Sequence, residues 1–270
     1  GFDLPADNAG YINYNARTYV AWNWKANGGT TTTNDASSTS IGTIDSVFQA
    51  NDTSGFSIVT YTGTGSAGTI RHGLSVAPSM VIIKNRTGGS VPNWVIGQDQ
   101  NGFTGQLYFD AGAFSSNSGS FNNTAPTSSV VSINTDSTVN QNTATYVMYC
   151  FANVEGYSKI GSWIGNGSTD GTFIHTGFRP AWIMLKRTSD SGGWQMLDNK
   201  RNTFNPVDNY LLPNLAIAEV DGSTLSPSIG VDFLSNGFKL RTTENVYNAN
   251  GNTYIYLAFA EQPFKFSNAR

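Results

Sequence analysis

The stretch Thr145-Tyr-Val-Met-Tyr-Cys-Phe-Ala152 decides the fold, because a similar stretch recurs as Thr253-Tyr-Ile-Tyr-Leu-Ala-Phe-Ala260. Both are runs of β-branched and aromatic residues, which are typical of buried β-strands. A third version, Thr18-Tyr-Val-Ala-Trp-Asn-Trp-Lys-Ala26, lies near the start of the chain. A strand that recurs at an interval of about 100 residues predicts tandem copies of one β-domain.

The residues upstream of these strands also recur in the same order. Gly55-Phe-Ser-Ile58 matches Gly156-Tyr-Ser-Lys159, and Met80-Val-Ile-Ile-Lys84 matches Trp182-Ile-Met-Leu-Lys186. In each copy a Gly-rich turn, a histidine and a proline lie between the two segments. Because several segments recur in the same order, the recurrence indicates an internal repeat and not a chance match of one apolar run.

We therefore predict an all-β protein with two tandem homologous β-sandwich-like domains of about 100 residues each. These are copy one, residues 55–153, and copy two, residues 154–270. Residues 1–26 are predicted to be the terminal β-hairpin of an incomplete preceding copy, and residues 27–54 a polar linker with an edge strand. Because a lone hairpin is marginally stable in water and leaves its edges open, either the native polypeptide is expected to be longer, or these strands are expected to pack on copy one or on a neighbouring subunit. Whether Gly1 is a processing site or a boundary of the fragment stays open.

Composition excludes several classes of protein. Of the 270 residues, 39% are hydrophobic and only 12% are charged, with a net charge of −3. Disorder needs low hydrophobicity with high net charge, and nucleic-acid binding by phosphate neutralisation needs a basic surface. No apolar run is long enough to span a membrane. The single cysteine, Cys150, rules out an internal disulfide and is predicted to be a buried strand thiol.

Four stretches carry a resemblance to a known family. They are Thr176-Gly-Phe-Arg-Pro-Ala-Trp-Ile-Met-Leu-Lys-Arg-Thr188, Asp232-Phe-Leu-Ser-Asn-Gly-Phe-Lys-Leu240, the terminal segment 258–270 and Tyr19-Val-Ala-Trp-Asn-Trp-Lys25. From about residue 55 onward the chain resembles the repeated C-terminal domains of structural, tail-fibre-like proteins of marine tailed phages. The resemblance implies a location in the virion, on the extracellular surface of the particle. It carries over no catalytic residue.

The function expected from these observations is that of a phage virion structural protein, a tail-fibre or adhesin segment that contributes to host-surface attachment. The alternatives are a carbohydrate-binding module, and a capsid decoration or filament-forming subunit. No enzymatic activity, cofactor or metal site is predicted. The expected partners are other copies in a homo-oligomer (a trimer is favoured), other virion proteins and a cell-surface glycan. Nucleic acid and membrane are not expected as partners.

Two histidines are candidate site residues. His72 and His175 are assigned to equivalent positions in the two copies. A titrating or ligand-binding role is one reading. The favoured prediction is structural, with each ring hydrogen-bonded to a turn carbonyl, because a requirement of the fold repeats more readily than an active site.

Tryptophans are the candidates for stacking on sugar rings. Trp163 follows Gly161 and Ser162 near a Gly-rich turn, so it is predicted to be the ring least committed to a core and the possible glycan contact. Trp22 and Trp24 alternate with period two. They are predicted to share one face of an extended segment, which is either core or interface.

Overall fold

The computed structural model of the protein describes residues 3–5, 12–87, 93–109 and 112–262. Up to residue 153 the strands are β1 (Thr32–Asn34), β2 (Ser46–Asn51), β3 (Phe56–Thr62), β4 (Gly68–Arg71), β5 (Met80–Asn85), β6 (Trp94–Gln98), β7 (Gly105–Tyr108), β8 (Ser115–Ser116), β9 (Val130–Ile133) and β10 (Thr145–Phe151). Single helical turns are α1 (Ala36–Thr39), α2 (Ser118–Phe121) and α3 (Ser137–Asn140).

The rest of the chain contains β11 (Ser158–Ile164), β12 (Phe173–His175), β13 (Pro180–Arg187), β14 (Gln195–Asp198), β15 (Asn209–Tyr210), β16 (Val220–Asp221), β17 (Val231–Leu234), β18 (Gly237–Leu240) and β19 (Thr253–Ala260), with one helical turn, α4 (Asn245–Asn248). The prediction of an all-β protein is confirmed. Every paired strand is antiparallel.

The two central sheets have the same strand order. In the first part of the chain, β3-β10-β5-β6 lie within an eight-stranded sheet that β2 and β1 extend at one end and β7 and β8 at the other. In the second part the order is β11-β19-β13-β14. This matching order is what two copies of one domain would produce, and the predicted domain boundaries stay a prediction.

A buried asparagine has the same role in both copies. Asn140 and Asn248 are each fully buried at the end of a helical turn. The Nδ2 of Asn140 donates to the backbone oxygen of Ser66 at 2.7 Å, and that of Asn248 donates to the backbone oxygen of Ser168 at 2.8 Å. Each amide therefore satisfies backbone groups of the Gly-rich turn, since an unpaired buried polar group is costly.

Each copy buries its own core on one face of its central sheet. In copy one, residues such as Val59, Ile83 and Met148 pack with Ile70 and Val131 of the small β4–β9 sheet. The corresponding core of copy two, which lies between its central sheet and β12-β18-β17, contains Trp163, Ile174, Ile183, Phe233, Phe238 and Tyr254. Side chains alternate along a strand, so the opposite face of each central sheet remains to be covered.

A third apolar core lies between the two copies and covers those opposite faces. Its residues from copy one are Phe56, Met80, Ile82, Ile96, Leu107 and Phe151, and those from copy two are Ile160, Trp182, Met184, Trp194, Ile255, Leu257 and Phe259. We call this set the shared core. The indole Nε1 of Trp194 donates across it to the backbone oxygen of Tyr108 at 2.9 Å. The two copies are therefore packed sheet against sheet.

The predicted hairpin over residues 1–26 is not present in the described residues, because 12–31 contain no strand. Residues 1, 2 and 6–11 of the predicted hairpin lie outside the described residues. The segment is nevertheless extended around Trp22 and Trp24, whose half-buried rings face the shared core, while Asn23 between them is exposed. The prediction that the two tryptophans share one face is confirmed. Trp22 and Trp24 hold this segment by packing against aromatic rings of the shared core, and not by pairing with another strand.

Residues 27–54 are more ordered than a polar linker. The strand predicted here is present as β2, which pairs with β3, but it is not an edge strand, because β1 covers its other side. The predicted low-complexity stretch also forms β1, which pairs with β2, and the helical turn α1. The Asp35 carboxylate accepts hydrogen bonds from the backbone N–H groups of Ser37 and Ser38, which is the geometry of a helix N-cap. The Thr, Ser and Asp residues of this stretch suggest a loop from sequence. In the structure their side chains form the hydrogen bonds that stabilise these short elements.

Trp24 connects the N-terminal segment to both copies. Its ring centroid lies 5.5 Å from that of Trp182, 5.4 Å from Phe259 and 6.3 Å from Phe151. We expect Trp24→Ala to lower the free energy of unfolding by about 2 kcal/mol, because a half-buried aromatic side chain is removed. Urea unfolding checks this, with the exposed Val20→Ala as control. An equal effect of both variants would contradict the packing role.

Candidate functional site

The two histidines do not occupy equivalent positions, which corrects the sequence prediction. The backbone N–H of Leu74 donates to Nδ1 of His72, and the backbone N–H of Phe178 donates to Oγ1 of Thr176. His72 is therefore matched by Thr176, one residue after His175. A shift of one residue places a strand side chain on the opposite face, so His175 is exposed and His72 is fully buried.

His72 has the structural role that the sequence predicts. Its Nε2 lies 3.1 Å from the backbone oxygen of Thr127, and its Nδ1 accepts the Leu74 N–H at 3.2 Å. Because Nδ1 accepts, the proton of a neutral ring belongs on Nε2. Burial lowers the pKa of His72, since it disfavours the charged ring. The neutral ring of His72, which directly follows β4, thus hydrogen-bonds to the backbone at Thr127.

The prediction that Trp163 contacts a glycan is wrong for this structure. The side chain is 5% exposed and belongs to the core of copy two. Its ring stacks on that of Tyr254, with centroids 4.9 Å apart and an interplanar angle of 10°, and its edge meets Phe238. A sugar ring needs an open aromatic face, and here Tyr254 covers one. The neighbouring glycines suggest a loop, but Trp163 lies on β11 with period-two burial.

Other candidate chemical groups are part of the fold. Cys150 is buried, as predicted, and burial raises the pKa of its thiol far above the range in which a thiolate forms. The carboxylates of Asp136 and Asp221 cap helical turns. In the described parts of the chain, no group of three or more His, Cys, Asp or Glu side chains has metal-binding geometry. No helix there is long and apolar enough to cross a membrane.

Copy one carries a groove across the ends of β2, β3 and β10. It consists of two adjoining depressions of about 480 Å³ and 290 Å³ that share Asp45 and Thr62. Most of the residues that line the two depressions carry a hydroxyl group, and together the linings comprise Thr33, Thr43, Ile44, Asp45, Ser46, Val47, Thr60, Tyr61, Thr62, Gly63, Thr64, Arg86, Asn142, Thr143, Thr145 and Tyr146. We call this surface the threonine groove.

The segment before β2 forms one wall of the threonine groove because it bridges two sheets. The backbone N–H of Thr43 donates to the backbone oxygen of Thr69 at 2.8 Å, and Oγ1 of Thr43 accepts the Thr69 N–H at 2.8 Å. Ile44 is 5% exposed and belongs to the core of copy one. Asp45 follows and is exposed, with its Oδ1 accepting the Ala36 N–H at 2.8 Å. Burial of Ile44 thus fixes its polar neighbours at the surface.

The chemistry of the threonine groove suits a polyhydroxylated ligand. Exposed hydroxyls of Thr62 and Thr143 both donate and accept hydrogen bonds, as sugar hydroxyls do. The carboxylate of Asp45 adds an acceptor, and the exposed guanidinium of Arg86 adds donors. Sequence reasoning missed this groove, although threonines at alternate positions of β3 were a visible signal. The position of Thr43 and Asp45 beside β3 depends on tertiary packing, which the sequence pattern does not show.

The fold and this groove define an all-β protein with two packed sandwich-like halves and a concave surface lined largely by threonines. The chain matches the family described as "Domain of unknown function (DUF7483)" over residues 1–263, and it belongs to that family. The match extends over both copies and over the N-terminal segment. No curated protein and no solved structure matches the chain.

Protonation of His72 should make the fold sensitive to acid. Since the pKa of the buried ring lies below its ordinary value of 6.5, the unfolded chain takes up this proton at a higher pH than the folded chain. The fold therefore loses stability as the pH falls below about 6.5, at most by about 1.4 kcal/mol per pH unit. We expect His72→Gln to lose less stability than the wild type between pH values of about 7.5 and 5.5.

Urea unfolding at a series of pH values measures this difference. His175→Gln is the control for the substitution itself, because the His175 side chain is exposed and lies outside the core. If His72→Gln keeps the pH dependence of the wild type, the pKa of the His72 ring does not differ between the folded and unfolded states, which would contradict the prediction.

Proposed function

We propose that this protein is a structural segment of a bacteriophage virion, of the tail-fibre or adhesin type, which contributes to attachment at the host surface. The observation that carries the proposal is the threonine groove, a polar surface that the fold holds in place through Ile44. The resemblance of segments such as 176–188 to tail-fibre-like proteins supports the virion location. The proposed ligand is a cell-surface glycan, and the proposed role is not enzymatic.

The shape of the threonine groove favours extended glycans over small buried ligands. Both depressions open to solvent along the sheet end, and most of their lining threonines are exposed. An open groove contacts several sugar units weakly, so useful attachment requires several copies of the site. We therefore expect a symmetric homo-oligomer, with a trimer favoured by the tail-fibre assignment.

The packing of the two copies suits a component that resists shear. Their central sheets are joined by the shared core and not by the short connection alone. Further hydrogen bonds cross the junction, including one from the backbone N–H of Phe114 to the backbone oxygen of Thr188 at 2.7 Å. A rigid junction transmits orientation along a fibre, which a flexible linker does not.

A carbohydrate-binding module is the second candidate function, because the same threonine groove would serve it. The two candidates differ in assembly. A tail-fibre segment is a symmetric oligomer, whereas a carbohydrate-binding module acts as a monomer. A compact monomer with measurable glycan affinity would support the module and contradict the tail-fibre segment.

Arg86 provides the sharpest test of the groove. We expect the wild-type protein to bind members of an array of bacterial surface polysaccharides. Arg86→Ala should weaken this binding about tenfold or more, because hydrogen bonds to a charged group contribute about 1.5–3 kcal/mol. The side chain of Arg86 is exposed, so the fold should tolerate its removal.

The matched control is Arg179→Ala, which removes an exposed arginine that pairs with Glu261 at 3.3 Å, outside the groove. Its binding should equal that of the wild type. Equal losses in both variants would indicate nonspecific attraction by positive charge. Failure of the wild type to bind any polysaccharide on the array would overturn the glycan assignment.

A further inference from the structure

The threonine groove has a carboxylate at one end and a guanidinium at the other. Continuing the registers of β2, β3, β10 and β5 by one residue gives a row of four residues across the sheet, Asp45, Thr62, Thr145 and Arg86. All four are exposed and all four line the smaller depression. Since neighbouring strands lie about 4.8 Å apart, about 14 Å separates the backbones of Asp45 and Arg86. Threonine hydroxyls therefore lie between two opposite charges.

The backbone around Arg86 is held in place although it lies beyond the end of β5. The Arg86 N–H donates to the backbone oxygen of Thr145 at 2.8 Å. Oγ1 of the next residue, Thr87, accepts the Thr145 N–H at 2.7 Å, and the Thr87 N–H donates to Oδ1 of the buried Asn85 at 2.9 Å. These bonds fix the base of the Arg86 side chain at the groove. Less freedom is therefore lost when a ligand binds there.

The guanidinium of Arg86 differs from those of the other arginines. Within the described ranges it has no ion pair, side-chain hydrogen bond or ring contact. The other described arginines all have partners: Arg17 lies over the ring of Tyr14, Arg71 lies over that of Phe48, and Arg179, Arg187, Arg201 and Arg241 pair with carboxylates. The five N–H donors of the Arg86 guanidinium thus face solvent and can bind a ligand.

The fold does not require an arginine at this position. In copy two the equivalent residue is Thr188, whose N–H donates to the backbone oxygen of Thr253 in the hydrogen bond that Arg86 makes in copy one. Oγ1 of Thr188 donates to the same oxygen at 3.1 Å. The residue that corresponds to Thr62 is Ile164, which lies opposite Thr253. A requirement of the shared fold would appear in both copies, so the arginine indicates a contact that copy one alone makes.

A guanidinium without a counter-charge favours an anionic group on the ligand. Its planar fork matches two oxygens of a carboxylate or of a phosphate or sulfate ester. A neutral sugar would leave the charge of Arg86 without a partner, because its hydroxyls need only the threonines of the groove. The Asp45 carboxylate disfavours an anion at the other end. With a net charge of −3 the whole chain does not attract anions, so such binding would depend on this one position.

We propose that the threonine groove binds an acidic polysaccharide, with an anionic group of one sugar at Arg86 and the hydroxyls of neighbouring sugars on the threonines. This inference rests on the proposed glycan-binding function and adds the class of glycan to it. The opposite charges at the two ends of the groove give the bound chain a direction. Its acidic group lies on the β5 side, and a sugar hydroxyl that donates to Asp45 lies on the β2 side.

The first test compares a bound polysaccharide with its own neutral form. The probes are the bacterial surface polysaccharides of the array, sorted into acidic and neutral members, and the protein is the full chain. We expect the acidic members to bind more tightly. Reducing the carboxylates of the tightest ligand to alcohols, or removing its sulfate or phosphate esters, should weaken binding about tenfold or more. The treatment that weakens binding identifies the anionic group.

Substitutions at the two ends of the groove test where the anion lies. Arg86→Gln should bind the acidic polysaccharide and its neutral form equally, and wild-type affinity for the neutral form shows that the fold is intact. Asp45→Asn keeps the oxygen that accepts the Ala36 N–H. It should change affinity less than about twofold, because the distance to Arg86 exceeds the Debye length of about 8 Å at physiological salt. Arg179→Gln, outside the groove, should keep the wild-type preference.

Three results would overturn the acidic class and leave the attachment function standing, because a glycan would still bind. These are tighter binding of neutral polysaccharides, an unchanged affinity after the anionic groups are removed, and an Arg86→Gln variant that still prefers the acidic form. A gain of about tenfold or more in Asp45→Asn would place the anion at the wrong end and contradict the proposal as well. If the wild type binds no polysaccharide, the glycan assignment itself is overturned, and this inference with it.

Discussion

Burial of two apolar sheet faces against each other is the constraint on which the rest of this structure depends. Each central sheet has an inner face in its own core and a second face in the shared core. Strands buried on both faces are continuously apolar, which explains why Met80–Ile83 and Tyr254–Ala258 contain no charged residue. Sheets covered on both faces leave only edges, turns and loops to meet solvent. Function therefore has to be sought at those places.

A difference between the two central sheets at one edge accounts for the threonine groove. In copy one, residues 41–51 cover β3, and the burial of Ile44 fixes Thr43 and Asp45 at the threonine groove. In copy two, no strand of the described residues pairs along the outer side of β11, where Val154 forms a single bridge to Ser158. The added strands thus give the first half a groove at this edge, which the second half does not share.

Sequence reasoning predicted the features that depend on local pattern. The all-β class, the burial of Cys150 and the shared face of Trp22 and Trp24 followed from strand composition and period-two alternation. The failures involved tertiary context. A one-residue offset separated His72 from His175, because repeats aligned by residue type need not share a register. The burial of Trp163 depends on long-range packing that no local pattern specifies. The same holds for the threonine groove, which brings together residues 33, 43–47, 60–64, 86, 142, 143, 145 and 146.

The central claim is that the shared core makes the two copies one cooperative unit. Cys150 on β10 and Ala258 on β19 are fully buried at matching positions. Thiol labelling as a function of urea concentration, in the wild type and in Cys150→Ala/Ala258→Cys, reports the opening of each copy separately. The account predicts that, in each protein, the thiol becomes reactive over the same urea range in which the whole protein unfolds. A thiol in copy two that becomes reactive at a clearly lower urea concentration, while copy one stays protected, would contradict it.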